Sequence, residues 1–490
     1  MRRTIITFLI LICCKSVFST IYYASPAGTG TGAPNSPFKI ADFWKVAKPG
    51  DTLILTDGRY YGDGSMITPP EGLSGTQENP ITVRAQNDGK AEIDGERSRA
   101  PVSLKNNHWF ILEGFNAHSA GGSASTSVVS LSYSSNNIIR RVCAWDATDG
   151  NTNIFGIHHG SHNLLEDCAG WGMARKIFSN AQEGNYTTFR RCFGRWEGSH
   201  ASGRKKVFAL SYNSYHTICE NCIGTWDSIL MNETYTLIDY YGNPIGPIYT
   251  NYEVNMATGI FSNDDFDSGY PDNADVRILG SIAYLKPEQR YHNSFRWWFG
   301  PISLWLKGIK IENSISIIEP QGHVDIRNTY LEGGDSTNKA TRLTMIGGKD
   351  VSISNQWQPS NNYRSASCSQ IIANNGNILN PNISGVNTGA TIMKRYVDGK
   401  LTSENLWPWP MNKRIIDAMQ QSGREPIDVT KTIFELCGGT LPDEFKTNPN
   451  GSSIVEAAKD WLMNPAKRSL YEDLLKRQNS DTEQRYRHDY

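Results

Sequence analysis

The sequence predicts an all-β solenoid, a chain wound into coils of short strands that stack in parallel. Three observations predict it. One unit returns four times between Ser127 and Asp227, marked by Cys143, Cys168, Cys192 and Cys222 at steps of 25, 24 and 30 residues. A tryptophan follows each cysteine closely: Trp145, Trp171, Trp196 and Trp226. A second anchor keeps a constant offset, since Val129, Phe178 and Phe208 stand fourteen residues before Cys143, Cys192 and Cys222. Periods of this size mean one coil per unit. The apolar runs are too short for helices and rich in β-branched and aromatic residues, with Gly, Asn and Ser between them. The fixed leucine ladder of a leucine-rich repeat is missing. Cysteine packs as a small hydrophobe, so the four cysteines are expected to form one interior column. The four tryptophans recur in every unit and are expected to form a packing ladder, with stacking on sugar rings the alternative. Strands stacked ~4.8 Å apart turn equal offsets in the chain into rows in space.

Whole-chain properties narrow the function. The 490 residues carry a formal charge of −1, which excludes bulk electrostatic attraction to nucleic acid. Residues 1–19 read as a secretory signal: Arg2 and Arg3, the apolar run Ile5–Cys14, then Val17-Phe18-Ser19. Cleavage would remove Arg2, Arg3 and Lys15, taking the charge from −1 to −4. The expected location is therefore exported: periplasmic, outer-surface or extracellular. No segment is long and apolar enough to be read as a transmembrane helix. Seven cysteines would remain, and an odd number argues against a full disulfide framework. Cys219-x-x-Cys222 lacks the second pair that a zinc site needs.

In chain order, residues 20–395 are expected to form the solenoid. A Gly/Pro/Ser-rich lead-in is followed by Ser36-Pro37, a helix-start signal. Phe38, Ala41, Phe43 and Trp44 would form the apolar side of a short helix covering the open end of the core. Strands and Asp-Gly turns follow (Asp57-Gly58, Asp88-Gly89, Asp94-Gly95), then the coil "NNHWFILEGFNAHS", with Phe115 28 residues before Cys143. After Cys222 the pattern loosens around an aromatic-rich insertion and an acidic loop. Residues 396–490 read as a partly helical carboxy-terminal segment, with helical spacing over 412–419, 454–462 and 470–475 and a polar tail expected to be disordered.

The stretches "VAKPGDTLILTDGRYYG", "GTQENPITVRAQ", "AEIDG" and "NHWFILEGFNAHS" resemble the amino-terminal coils of pectin-lyase-like right-handed parallel β-helix proteins, and most of all the chondroitinase B and alginate lyase group. The resemblance covers about residues 22–120. It implies a right-handed single-stranded parallel β-helix, to which the residues above add an amino-terminal capping helix. That group's Lys and Arg-His catalytic stretches and its Asn/Glu calcium cluster are not found in this chain. "CAWDATDG" followed by "EDCAGWGMARKIF" also resembles the calcium-assisted, lysine-base pectate lyases of family nine. That likeness implies Asp146 and Asp149 as Ca2+ ligands and Lys176 as base, although the paired-Asp motif here lacks its neighbouring carboxylate.

Residue spacing supplies candidates of its own. The fourteen-residue offset gives Lys176 and Lys206 one register in consecutive coils, with Ser127 in an earlier one. Arg175 and Lys205 precede the two lysines, and Arg204 extends the row. A cationic row suits an anionic polysaccharide. β-Elimination needs a base beside the uronate carboxylate and positive charge to hold the resulting dianion. Neighbouring cations lower a lysine toward usefulness as a base. The competing reading of the row is a solvated face. Asp264, Asp265 and Asp267, near Asp272 and Asp275, could bind calcium, line a solvated loop, or supply the two carboxylates of an inverting hydrolase, ~6.5–9.5 Å apart. His158, His159 and His162 are candidate ligands, base or substrate contacts. Trp297, Trp298 and Trp305, with Tyr240-Tyr241, are candidate groove-wall residues. The expected function is a polysaccharide lyase acting on an acidic, uronate-containing polysaccharide. A glycoside hydrolase and a non-catalytic carbohydrate-binding protein are the alternatives.

Overall fold

In the computed structural model residues 19–201 and 394–436 are described without a break, and between 205 and 372 the strands and some adjoining turns. The chain forms a parallel β-helix. Among the described residues its first and second sheets hold eleven strands each and its third holds seven. In each sheet the neighbours come from successive coils, as in the run Phe110–Glu113, Ile138–Arg140, Leu164–Glu166, Thr188–Arg190 of the first sheet. The interior is a continuous apolar column. Along the third sheet Val129, Phe155, Phe178, Phe208 and Phe261 share one register, and successive phenylalanine rings stack 4.8 Å apart.

The cysteine column differs from its expected form by one residue. Cys143 pairs with Ala169, Ala169 with Phe193, and Phe193 with Ile223. The inward corner is therefore occupied by Val142, Cys168, Cys192, Cys222 and Ser281. There each thiol donates to a carbonyl one coil back: Cys168 to Ile139, Cys192 to Leu165 and Cys222 to Phe189, all at 3.3 Å. Ser281 and Ser314 continue the pattern with hydroxyls. Cys143 instead faces outward. The tryptophans split the same way. Trp145 and Trp171 stack on the outer face at 5.4 Å, whereas Trp196 and Trp226 stack at 4.0 Å within the interior cluster. A shift of one residue turns a strand side chain to the other face.

The corner between the first and second sheets turns through left-handed backbone in consecutive coils: Gly114, Arg141, Asp167, Arg191, Asn221 and Gly280. Glycine adopts this conformation without strain. The side chains between the two glycines hold it by pairing. Arg191 binds Asp167 at 2.7 Å and Arg141 binds Asp88 at 2.5 Å.

The capping helix α1 (Ile40–Phe43) is shorter than the sequence signal suggests. It buries Ile40 and Phe43, and Phe43 meets Tyr22 edge-on. At the other terminus a hairpin (Lys394–Val397 with Lys400–Asn405) leads to α2 (Asn412–Gln421) and α3 (Val429–Leu436). Helix α3 had no expectation in the sequence, and the helical spacing at 454–462 and 470–475 lies outside the described residues. Leu406, Trp407, Trp409, Met411, Ile415 and Met419 cover Cys143, Trp145, Trp171, Phe193 and Ile223 on the outer face of the second sheet. Polar clamps flank this contact. Arg414 reaches Asp88 at 3.1 Å, Trp171 donates to Ser422 at 3.0 Å, Arg424 pairs with Asp146 and Glu197, and Asp398 pairs with Arg190. No helix among the described residues is long and apolar enough to cross a membrane.

Candidate active site

The corner that enters the third sheet gathers most of the described candidates. Strands Asn153–His158, Lys176–Ala181 and Lys206–Tyr212 pair in register, with Asn153 beside Lys176 and Lys176 beside Lys206. The backbone locks this arrangement, since Lys176 donates to the Thr152 carbonyl and Lys206 to the Arg175 carbonyl, both at 3.1 Å. Arg175 and Lys205 consequently sit one coil apart, just ahead of the two lysines. The Arg175 guanidinium also reaches the Asn151 side chain.

This row is not a solvated face. Arg175, Lys176 and Lys205 are 7%, 8% and 6% exposed, and Lys206 is fully buried. Lysine is rarely buried so completely. Burial, reinforced by the charge of Arg175 and opposed by Asp149, pushes the Lys205 ammonium down to about 7. It donates to the Ala201 carbonyl.

A loop after strand Phe193–Trp196 folds over the same corner. Met173 bridges to Gly198, Ala174 donates to the Gly198 carbonyl at 3.1 Å, and Trp196 donates its indole N–H to Ala174 at 3.0 Å. The loop carries His200 across the intervening coil to Asp149. Asp149 accepts the His200 amide at 2.8 Å, and its other oxygen lies 2.5 Å from the imidazole Nδ1. Burial pushes the Asp149 carboxyl up, but the His200 hydrogen bonds and the nearby charges outweigh it and hold it below the usual carboxylate value. His200 went unnoticed in the sequence. Its one signal is the step of 30 residues from Cys192 to Cys222 where 24 or 25 is the rule, which marks extra chain at this corner.

Asp146 and Asp149, the calcium ligands implied by the resemblance, have other partners among the described residues. Asp146 accepts the Met173 amide at 3.1 Å and pairs with Arg424 at 2.7 Å and Arg97 at 3.8 Å, while Asp149 is engaged by His200. Calcium needs six to eight oxygen ligands, and here two guanidinium groups hold the Asp146 carboxylate. Among the described residues no group of three or more His, Cys, Asp or Glu could hold a metal. Cys219 and Cys222 are free, buried thiols. The three histidines have different partners. His158 ends its strand and accepts from the Asn153 amide at 3.3 Å. His159 stacks on Tyr133 at 4.5 Å, and His162 stacks on Tyr186 at 4.8 Å around the next corner. Burial, with His216 nearby, lowers the His162 imidazole. Asp275 is tied to His216 and Arg277, both at 2.9 Å. Arg204, Asp264, Asp265, Asp267, Asp272, Tyr240, Tyr241, Trp297, Trp298 and Trp305 lie outside the residues whose side chains are described.

No family model matches the chain, and no curated protein matches it. Solved structures do. The pectate lyase Pel9A is 16% identical with a TM-score of 0.48, covering 78% of this chain and 93% of its own. A rhamnogalacturonan lyase is 14% identical with a TM-score of 0.43, covering 83% and 99%. An alginate lyase from Paenibacillus sp. str. FPU-7 is 13% identical with a TM-score of 0.38, covering 68% and 94%. These are similarities of coil architecture at low identity. They assign no residue role and no substrate. The parallel β-helix implied by the amino-terminal resemblance is the architecture the chain adopts.

Proposed function

We propose that this chain is an exported polysaccharide lyase that cleaves an acidic, uronate-containing polysaccharide by β-elimination at the corner of Arg175, Lys176, Lys205 and Lys206. The observation that carries the reading is Lys205, a lysine buried beside a second cation and lowered to about 7. Such an amine is partly neutral at neutral pH and can accept a proton. In the proposed step Lys205 takes the proton next to the uronate carboxylate. The C–H electron pair forms the new C=C bond, and the glycosidic bond at the β position breaks with its electrons on the departing oxygen. Arg175, Lys176 and Lys206 supply the positive charge that the developing dianion requires. His200, oriented through Nδ1 by Asp149, is the nearby group suited to return a proton to the departing oxygen. No step is assigned to calcium.

The test is digestion of polygalacturonate, alginate and chondroitin sulfate, read by the ultraviolet absorbance of unsaturated uronate. Wild type should generate it on at least one polymer, and Lys205→Met should not. Lys176→Ala and Lys206→Ala should each slow turnover, and unchanged rates in all three variants would remove the site. New reducing ends without absorbance would indicate hydrolysis, and binding without cleavage a carbohydrate-binding role.

A further inference from the structure

We propose that Tyr133 and His159 form a stacking platform for a sugar ring of the bound polysaccharide, at the edge of the third sheet opposite the cationic corner. The inference deepens the proposed function and uses residues outside the proton-transfer groups.

Tyr133 directly follows strand Val129–Ser132, and His159 directly follows strand Asn153–His158. They occupy equivalent places in consecutive coils. Their rings lie 4.5 Å apart and within 7° of parallel. Tyr133 nonetheless leaves 55% of its surface exposed. Both residues have left-handed backbone, with φ of 51° and 53°, where the preceding coil has Asn106 at 54°. Asparagine and histidine tolerate that conformation and a bulky residue such as tyrosine does so poorly. The Tyr133 ring nonetheless stays in solvent. Its plane is fixed by the stack with His159, whose Nδ1 lies 3.9 Å from Glu183. A flat, immobilised ring with an apolar face and a polar tip suits the C–H face of a pyranose and loses little entropy on binding.

A polar track joins the platform to the cationic corner. Asn153 shares the register of Lys176 and Lys206, and its amide runs along its own strand to His158 at 3.3 Å. It passes over Gly156, where a Cβ would stand 2.8 Å from the amide nitrogen. The row at that register is small throughout: Ser103, Ser130, Gly156, Ser179 and Ala209. Ser179 is fully buried, and its hydroxyl has no partner among the described residues. From the cationic register the Asn153 side chain itself reaches His158, the residue before the platform. A ring stacked on Tyr133 would therefore lie a short way along the polymer from the bond being cleaved.

The experiment compares Tyr133→Ala and Tyr133→Phe with wild type on polygalacturonate, alginate and chondroitin sulfate, and on short oligomers of whichever is cleaved. Losing one stacking contact should raise KM on the polymer about 5- to 10-fold, leaving kcat and Tm unchanged, while the Phe variant stays near wild type. On oligomers too short to span the sheet the Ala variant should behave as wild type. Equal KM on polymer, a fall in kcat or Tm instead, or an equal loss on short oligomers would overturn the proposal. If wild type yields no unsaturated product, the lyase reading fails separately. Affinity electrophoresis in the same polymers then decides the platform: retardation weakened by Tyr133→Ala supports it, and unaltered or absent retardation sinks it.

Discussion

Lys205→Met exchanges a buried ammonium for an apolar chain of similar length, and it should stabilise the protein while disabling it. Burial and Arg175 bring the ammonium from 10.5 to about 7. The folded value lies below the unfolded one. Between pH 7 and 10.5 the unfolded chain therefore binds a proton that the folded chain does not, so stability rises with pH across that window. The cost is fully present below about pH 7 and gone above about 10.5. At about 1.4 kcal/mol per pH unit it amounts to about 5 kcal/mol as an upper figure, because relaxation and water entry recover part of a buried charge's penalty. Thermal melts of wild type and variant at pH 6, 8 and 10 (~ values spanning the window) test this. The variant should melt several degrees higher at the lowest pH, with the gap closing toward the highest, and lyase turnover should fall at least ~100-fold. A variant that melts lower at the lowest pH, or a gap independent of pH, would refute the argument that Lys205 carries an unfavourable buried charge.

The remaining predictions concern the scaffold and the track. Trp171→Ala should cost about 3–5 kcal/mol, since it removes the stack on Trp145 and the bond to Ser422, and limited proteolysis should then cut the 394–436 segment earlier. Cys192→Ser should cost less than about 1.5 kcal/mol, because Ser281 and Ser314 already make the equivalent bond; Cys192→Ala should melt lower than the Ser variant. Gly156→Ala should lower Tm modestly, because the new Cβ would stand 2.8 Å from the Asn153 amide nitrogen and 3.3 and 3.4 Å from its Cβ and Cγ, so the whole side chain must shift; KM on polymer should rise as the link to His158 is displaced. Asp275, held down to about 2 by His216 and Arg277 against the effect of burial, contributes stability that is present above its unfolded value of 3.8 and lost as pH falls through about 2. Asp275→Asn should therefore narrow the difference in Tm between neutral and acid melts.

Coil stacking was legible because side-chain spacing and coil geometry agree wherever a coil keeps its length. Phe178 with Phe208 and Lys176 with Lys206 lie in coils of equal internal spacing, and both pairs are neighbours in space. Cys143 was misassigned because coils differ by one residue. Thirteen residues separate Val129 from Val142 and Phe155 from Cys168, but fourteen separate Phe178 from Cys192 and Phe208 from Cys222. A fixed offset of fourteen lands on Cys143 when the inward corner is Val142. The extra residue in strand Phe193–Trp196 moves its tryptophan inward by the same parity. The Asp149–His200 contact was illegible for another reason. It passes over an intervening coil, and no local period encodes it. The change of composition near Trp407 marked a new segment, but its docking depends on an outward apolar face that short strands do not distinguish from the inward one.

The most direct test of the proposed chemistry follows two signals in one digest of the polymer that is cleaved: unsaturated uronate by ultraviolet absorbance, and new reducing ends. Elimination at the Arg175–Lys205 corner predicts that both rise together in equal amounts for wild type, and that neither rises for Lys205→Met. Reducing ends that accumulate without absorbance, or equal absorbance from the variant, would contradict it.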